Sequence, residues 1–252
     1  MAGWPEGVGR VLLDSIDSTN AEALRRAPGL VEPTWIVAGE QTAGRGRRAR
    51  AWTSPRGNFY GTLVMHPAGP PETVALRSFV AALALRDAMV ALTGLPECLA
   101  LKWPNDVLLN GGKLAGILLE GSSGAGSPVL CIGIGINLIA APDAAQVEPG
   151  AVAPVSVLGE TGLRFTPARM LDALAPAFAR WEARLQAEGF APLRTEWLAH
   201  AARLGEVITA RTGAGANATS RTGIFRGLAA DGALLLDAGA GAIAIPAADV
   251  FF

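Results

Sequence analysis

The sequence predicts an α/β (α+β) fold through residue 203, followed by a small all-β unit over residues 204–252. Three observations predict it. Residues 127–138, SPVLCIGIGINL, alternate apolar side chains with small residues at the period of a strand. Residues 72–93 and 166–187 carry apolar residues at helical spacing. From Gly205 the texture changes to short strand-like runs (EVITA, GIFRGLA, GALLLDA, AIAIPAADVFF) separated by Gly, Ala and Asp.

Taken in order, RVLLDSIDSTN reads as a short strand running into a helix start. Ser18 or Thr19 supplies the cap for NAEALRRA, and Pro28-Gly29 ends it. TWIVAGEQ (34–41) and NFYGTLVMHP (58–67) are strand-like, the second closed by Pro67. Residues 72–93 form a central amphipathic helix, with Leu76, Phe79, Val80, Leu83 and Val90 on its apolar stripe and Arg77, Arg86 and Asp87 between them. Two strand-like runs flank Asn110-Gly111-Gly112, a hairpin signal. In 127–138, Leu130, Ile132, Ile134, Ile136 and Leu138 form a core face. Cys131, Gly133, Gly135 and Asn137 form the other. Glycines inside a strand weaken it, so that second face leaves space for a close-packed helix or for a ligand. Met170, Leu171, Leu174, Phe178, Trp181 and Leu185 stripe the 166–187 helix, and a third helical stretch runs to His200. The terminal β-barrel or β-sandwich, roughly 48 residues, is too small to stand without packing on the rest.

Composition narrows the function. Half of the 252 residues are hydrophobic and the formal net charge is −1. A sizeable core follows, and no broad basic face is available for nucleic acid or an anionic membrane. Cys98 and Cys131 are far apart and outside any CxxC spacing, so they read as reduced thiols of a cytoplasmic protein. With only His66 and His200, a His-rich metal site and a Ser-His-Asp triad are excluded as readings. The N-terminus lacks a signal-peptide pattern, and no run reaches the ~20 apolar residues of a membrane span.

Four motifs carry chemistry. GRGRRAR (44–50) joins mobile glycines to guanidinium forks suited to phosphate or carboxylate. Taken alone it is also compatible with a solvated basic loop. KWPND (102–106) sets Lys102 and Asp106 on either side of a proline turn. That can be an ordinary surface ion pair, or a lysine poised to stabilise developing negative charge. Asp106 can orient the lysine or help hold Mg²⁺. Lys113 reads alone as a hairpin-end lysine, DSTN (17–20) as a helix cap, and Trp52 as core.

In this order, DSTN, GEQTAGRGRRARAW, KWPNDVLLNGGKLAGILLE and GIGINL closely resemble the catalytic domain of biotin protein ligases, over about residues 11–140. The resemblance implies a mixed sheet with helices on one side and a small C-terminal SH3-like β-barrel domain. The domains implied are 1–203, binding biotin and ATP, and 204–252. The implied reaction activates biotin with Mg·ATP to biotinyl-5′-AMP and transfers it to a specific lysine of a biotin carboxyl carrier protein domain, such as that of an acetyl-CoA carboxylase. Biotin and ATP are substrates and Mg²⁺ accompanies them.

By the same resemblance, Ser18, Thr19 and Asn20 lie at biotin's ureido head, Gln41 is a further biotin contact, and Gly116 lies beside the bicycle and tail. Arg45, Gly46 and Arg47 belong to the adenylate-binding loop, with Arg48 beside them, and Trp52 packs on the closed loop. Lys113 contacts ligand, Lys102 stabilises the α-phosphate, and Asp106 positions the acceptor lysine or a metal. Asn105 and Asn137 complete the nucleotide set, Asn137 as an adenine contact. Lys102, Arg47 and Asp106 are the candidate catalytic residues. Ala49 departs from the family's glycine and is expected to stiffen the loop slightly. Since the pattern starts near residue 11, the expectation is a monofunctional ligase that binds no DNA and no membrane, as a monomer or homodimer. The rival readings are a lipoate–protein ligase of the same fold, a non-catalytic biotin sensor, and a nucleic-acid-binding module.

Overall fold

In the computed structural model, residues 128–138 of the alternating segment lie at the centre of the larger of the two sheets formed by the described residues. Residues 3–122, 128–143, 147–148, 150–213, 218–239 and 241–252 are described, with the main chain alone at 49 and 122. The expected effect of the Ala49 side chain therefore lies outside them. The large sheet contains β1 (Gly9–Leu13), β2 (Thr34–Ala38), β3 (Phe59–Met65), β4 (Leu99–Lys102), β5 (Asp106–Leu109), β6 (Gly112–Ser122) and β7 (Val129–Ile136). Its order is β1-β2-β3-β7-β6-β5-β4. The β1–β2 pair is parallel and the remaining pairs are antiparallel, so the sheet is mixed.

Local chemistry sets the element ends. Ser18 caps α1 (Thr19–Arg26), its Oγ accepting from Ala21 N, and a 3₁₀ turn at Ala27–Gly29 closes it. Asn110 (φ 50°) and Gly111 (φ 80°) make the β5–β6 turn, both in the left-handed region that a two-residue hairpin of this hand requires. The run before it is divided at Pro104, which cannot donate to a ladder, into the antiparallel pair β4–β5.

The expected single helix over 72–93 is two: α2 (Pro71–Ala75) and α3 (Arg77–Thr93). Nor is α3 amphipathic in place. Ala81, Ala82, Ala84, Leu85, Ala88 and Met89 are buried along with the stripe residues Phe79, Val80 and Leu83. The alanines let the helix sit closely between the sheet and α5 (Pro167–Glu188). Arg77, read as a polar spacer, is buried because Glu182 of α5 accepts from its Nε at 3.0 Å and its Nη2 at 2.6 Å. The stripe of α5 is buried as expected, and α6 (Phe190–Ala199) follows α4 (Val157–Thr161) and α5 in the chain.

The long helices cover one face of the sheet, where Trp35, Leu63, Ile132 and Ile134 meet α3 and α5 in the main core. On the opposite face, Ala23 of α1 and Ala27 of the 3₁₀ turn pack on Ile36, Val64 and Cys131. Burial pushes the Cys131 thiol up to about 12, which leaves it protonated and inert at neutral pH. The second sheet is antiparallel, in the order β11 (Ala242–Ile245), β10 (Leu234–Asp237), β9 (Thr219–Leu228), β8 (Val207–Thr212), β12 (Asp249–Phe251). Its buried residues, among them Phe225, Leu234 and Val250, join the main core. Trp103 Nε1 donates to Gly232 O at 3.0 Å, tying the proline turn to the second sheet. Among the described residues, no helix is long and apolar enough to cross a membrane.

Candidate active site

The glycine face of β7 floors a cavity of about 480 Å³. Gly133 and Gly135 are open for different reasons. A Cβ on Gly133 would overlap the Asn20 side-chain amide of α1, and one on Gly135 would lie 2.6 Å from Trp52 Nε1. Trp52 also covers Gly116, whose Cβ position is 3.2 Å from its ring. The space therefore serves a close helix and an indole. Strand register pairs Gly133 with Leu118 and Gly135 with Gly116. Two polar clusters stand over these two points, about 7 Å apart along the strands.

The first cluster is neutral. The parallel bridge Ile16–Gln41 brings Gln41 beside the start of α1. Gln41 Oε1 accepts from Thr19 N (2.9 Å) and Thr19 Oγ1 (3.1 Å), and its Nε2 donates to Ser54. From the buried centre of β3, Thr62 Oγ1 lies 2.6 Å from Asn20 Oδ1 and 2.9 Å from Thr19 Oγ1. Its single proton serves one of them at a time. Asn20 Nδ2 donates to Glu120 Oε2 at 2.7 Å, which sets the amide's orientation.

The second cluster is charged. The β4–β5 turn is pinned to β6 by Asn105, whose Nδ2 donates to Ile117 O at 2.6 Å and whose carbonyl accepts from Ile117 N. This sets Lys102 and Asp106 side by side, 3.6 Å apart, and Lys113 reaches the other Asp106 oxygen at 2.7 Å. Burial alone would raise the Asp106 carboxyl, but Lys113, Lys102 and Arg47 together hold it below the usual carboxylate range. Burial lowers the Lys102 ammonium from the usual lysine range, and Asp106 partly restores it.

The arginine stretch is a small hairpin. Trp52 N donates to Gly44 O and Gly46 N to Arg50 O, with Arg48 at φ 56° in the tip. Arg45 pairs with Glu120 at 3.2 Å. Arg47, Arg48 and Arg50 turn instead towards Asp249 of β12. Burial pulls the Arg47 guanidinium below its usual range, and Asp249 and Asp106 pull it back.

Most of the residues singled out in the sequence meet at this cavity. Ser18, Thr19, Asn20 and Gln41 line one end, and Lys102, Asn105, Asp106 and Lys113 the other. Arg45, Gly46, Arg47 and Trp52 form the lip, with Gly116 and Asn137 below. Arg48, at the hairpin tip, does not line it, and its guanidinium lies 3.4 Å from Asp249. The Asn137 amide is engaged by the Val155 carbonyl at 3.1 Å. Among the described residues no group of three His, Cys, Asp or Glu side chains could hold a metal. Both Asp106 oxygens already face lysines. Sequence reasoning passed over Thr62, Glu120, Glu148 and Asp249. Glu120 only closes the KWPNDVLLNGGKLAGILLE run, the other three sit in no motif, and each is joined to the site only by folding.

The chain is similar to known proteins over both of its parts. A family model described as the biotin/lipoate A/B protein ligase family matches residues 12–137. One described as the biotin protein ligase C terminal domain matches 204–252. A biotin–[acetyl-CoA-carboxylase] ligase of Paracoccus denitrificans is 59% identical over 242 residues, 96% of this chain and 99% of the relative. A bifunctional ligase/repressor of Bacillus spizizenii is 32% identical over 240 residues, 94% of this chain and 72% of the relative. Among solved structures, a biotin protein ligase from Aquifex aeolicus in complex with biotin and ATP has a TM-score of 0.78 at 25% identity, covering 96% of this chain and 98% of that one.

Proposed function

This chain belongs to the biotin/lipoate A/B protein ligase family, and on that premise we propose that it joins biotin to a carrier-protein lysine in two steps, the first of which consumes ATP. The observation that carries this reading is the pair of clusters on one glycine floor. The neutral cluster of Thr19, Asn20, Gln41 and Thr62 offers the donors and acceptors that a ureido group needs. The cationic cluster of Lys102 and Lys113, with Arg45 and Arg47 at the lip, suits a carboxylate meeting a phosphate.

In the first step a biotin carboxylate oxygen attacks the α-phosphorus of ATP, the bond to the bridging oxygen breaks, and pyrophosphate leaves. Lys102, held against Asp106 and shielded from water, stabilises the charge that builds on the α-phosphate. Lys113 and Arg47 draw the two anions together. Mg²⁺ enters as part of the substrate Mg·ATP, and no described residue is assigned to hold it. In the second step the unprotonated amine of the acceptor lysine attacks the acyl carbon, AMP leaves, and the amine sheds its proton. Asp106 is the carboxylate placed to orient that amine. Trp52 and the arginine hairpin keep water from the mixed anhydride.

Residues 1–203 are assigned to substrate binding and chemistry, and 204–252 to a small unit that walls the site. The acceptor is a biotin carboxyl carrier domain of an acyl-CoA carboxylase, in the cytoplasm. With a net charge of −1, no DNA-binding role is assigned. The test is labelling of a purified carrier domain with biotin and Mg·ATP, read on a streptavidin blot. Label should appear on one lysine and vanish when that lysine is replaced by arginine. Absence of label with a folded carrier would refute the reading.

A further inference from the structure

Four arginines converge on one carboxylate at the rim of the cavity. Asp249, on the last strand of the second sheet, has Arg50 at 2.9 Å, Arg48 at 3.4 Å, Arg47 at 3.5 Å and Arg211 at 3.8 Å. Its side chain is 12% exposed. Arg211 is its cross-strand partner in the β8–β12 register, and Arg47 also donates to Ala248 O at 3.2 Å. Glu148 adds a second carboxylate, to Arg50 at 2.9 Å and to Arg211.

The arrangement is unlike a surface ion pair. An exposed pair matches one charge with one charge and contributes little. Here three guanidinium groups from a five-residue hairpin tip meet at one carboxylate contributed by a strand about 200 residues later in the chain, with Glu148 as a further partner of Arg50 alone among the three. Asp249 also lines the cavity, as do Arg47 and Arg50. An anion arriving there with more charge and more oxygens than a carboxylate would compete for the same forks.

We propose that Asp249 is a positioning residue that stands in for substrate phosphate, holding the arginine hairpin over the cavity until the nucleotide takes its guanidinium groups. This rests on the ligase reading for the identity of the anion, but not for the latch itself. When Mg·ATP binds, Arg47 exchanges carboxylate for phosphate, and the hairpin stays closed through the ligand rather than through the second sheet. The small C-terminal unit thereby sets how far the hairpin is open in the absence of substrate.

Trypsin, which cuts after arginine, reads the latch directly. In ligand-free Asp249→Asn, cleavage within residues 45–50 should run about tenfold faster than in the unmodified protein. Asp249→Glu should restore protection. Biotin plus Mg·ATP should protect Asp249→Asn fully. Its KM for ATP should fall several-fold with kcat nearly unchanged, because a competing anion is gone. A merely structural role would raise cleavage after Arg203 and Arg221 equally and lower kcat. That result, or unchanged cleavage at 45–50, would overturn the proposal. Should Asp249→Asn not fold, Arg50→Gln breaks the same contact from the hairpin side, and cleavage after Arg45, Arg47 and Arg48 must rise likewise. If Asp249→Asn opens and biotin with Mg·ATP leaves it as open as before, the ligase reading fails and the latch stands.

Discussion

The Lys113 ammonium lies 2.7 Å from the Asp106 carboxylate, joining the start of β6 to the first residue of β5. Lys102 approaches the second oxygen at 3.6 Å, so one buried carboxylate serves two lysines. This fixes a sign. Asp106 raises the Lys102 pKa against the lowering effect of burial. If protonated Lys102 assists adenylation, activity is lost as pH rises through its pKa. In Asp106→Asn that pKa falls, and the alkaline limb of the pH–rate profile for biotin-dependent exchange should move to lower pH. A limb that stays in place, or moves up, contradicts the pairing.

Lys102 itself should matter to rate more than to binding. Its ammonium is buried and has the Phe252 ring at 5.7 Å, so it is poised for charge that develops only during reaction. Lys102→Met should lower the adenylation kcat by about 10²–10³-fold. Calorimetric titration should show biotin affinity nearly unchanged. Equal losses in kcat and in biotin affinity would instead make Lys102 a simple binding group.

Gly133 is demanded by Asn20, which is held from both sides by Thr62 and Glu120 and has little room to give. Gly133→Ala should cost about 1–3 kcal/mol of stability by overpacking. It should also weaken biotin binding more than ATP binding, since it disturbs the neutral cluster. Thermal melts with and without each ligand measure both. A variant that binds biotin normally would free Asn20 from the proposed head site.

Far from the cavity, Arg77 and Glu182 form a buried pair between α3 and α5. Arg77→Leu alone should destabilise the fold by about 3–5 kcal/mol, because Glu182 is left buried without its partner. The double variant Arg77→Leu with Glu182→Leu should recover much of that loss. Urea titrations of the two singles and the double decide it, and strict additivity would show that the charges do not interact.

Local pattern made part of this architecture legible. The period-two alternation at 127–138 exposed both the core face and the empty glycine face, and the hairpin at Asn110-Gly111 announced its own turn. KWPND and GRGRRAR located the charged end of the cavity. What escaped was whatever depends on a distant partner. Arg77 has helical spacing that reads as solvent-facing, and only Glu182, across the core, explains its burial. Asp249 stands in the run AIAIPAADVFF, which reads only as a strand, yet it collects three of the loop arginines. Glu120 reads in the sequence as the charge that closes the apolar run KLAGILLE, and folding alone sets it between Asn20 and Arg45.

The most direct test of the proposed chemistry is ATP–pyrophosphate exchange by the purified protein, run with biotin and, separately, with lipoate. Exchange that requires biotin, and not lipoate, is the predicted result, since adenylation precedes any carrier protein. Exchange with lipoate alone, or with neither in protein that still binds biotin, would contradict the assignment of this cavity to biotin activation.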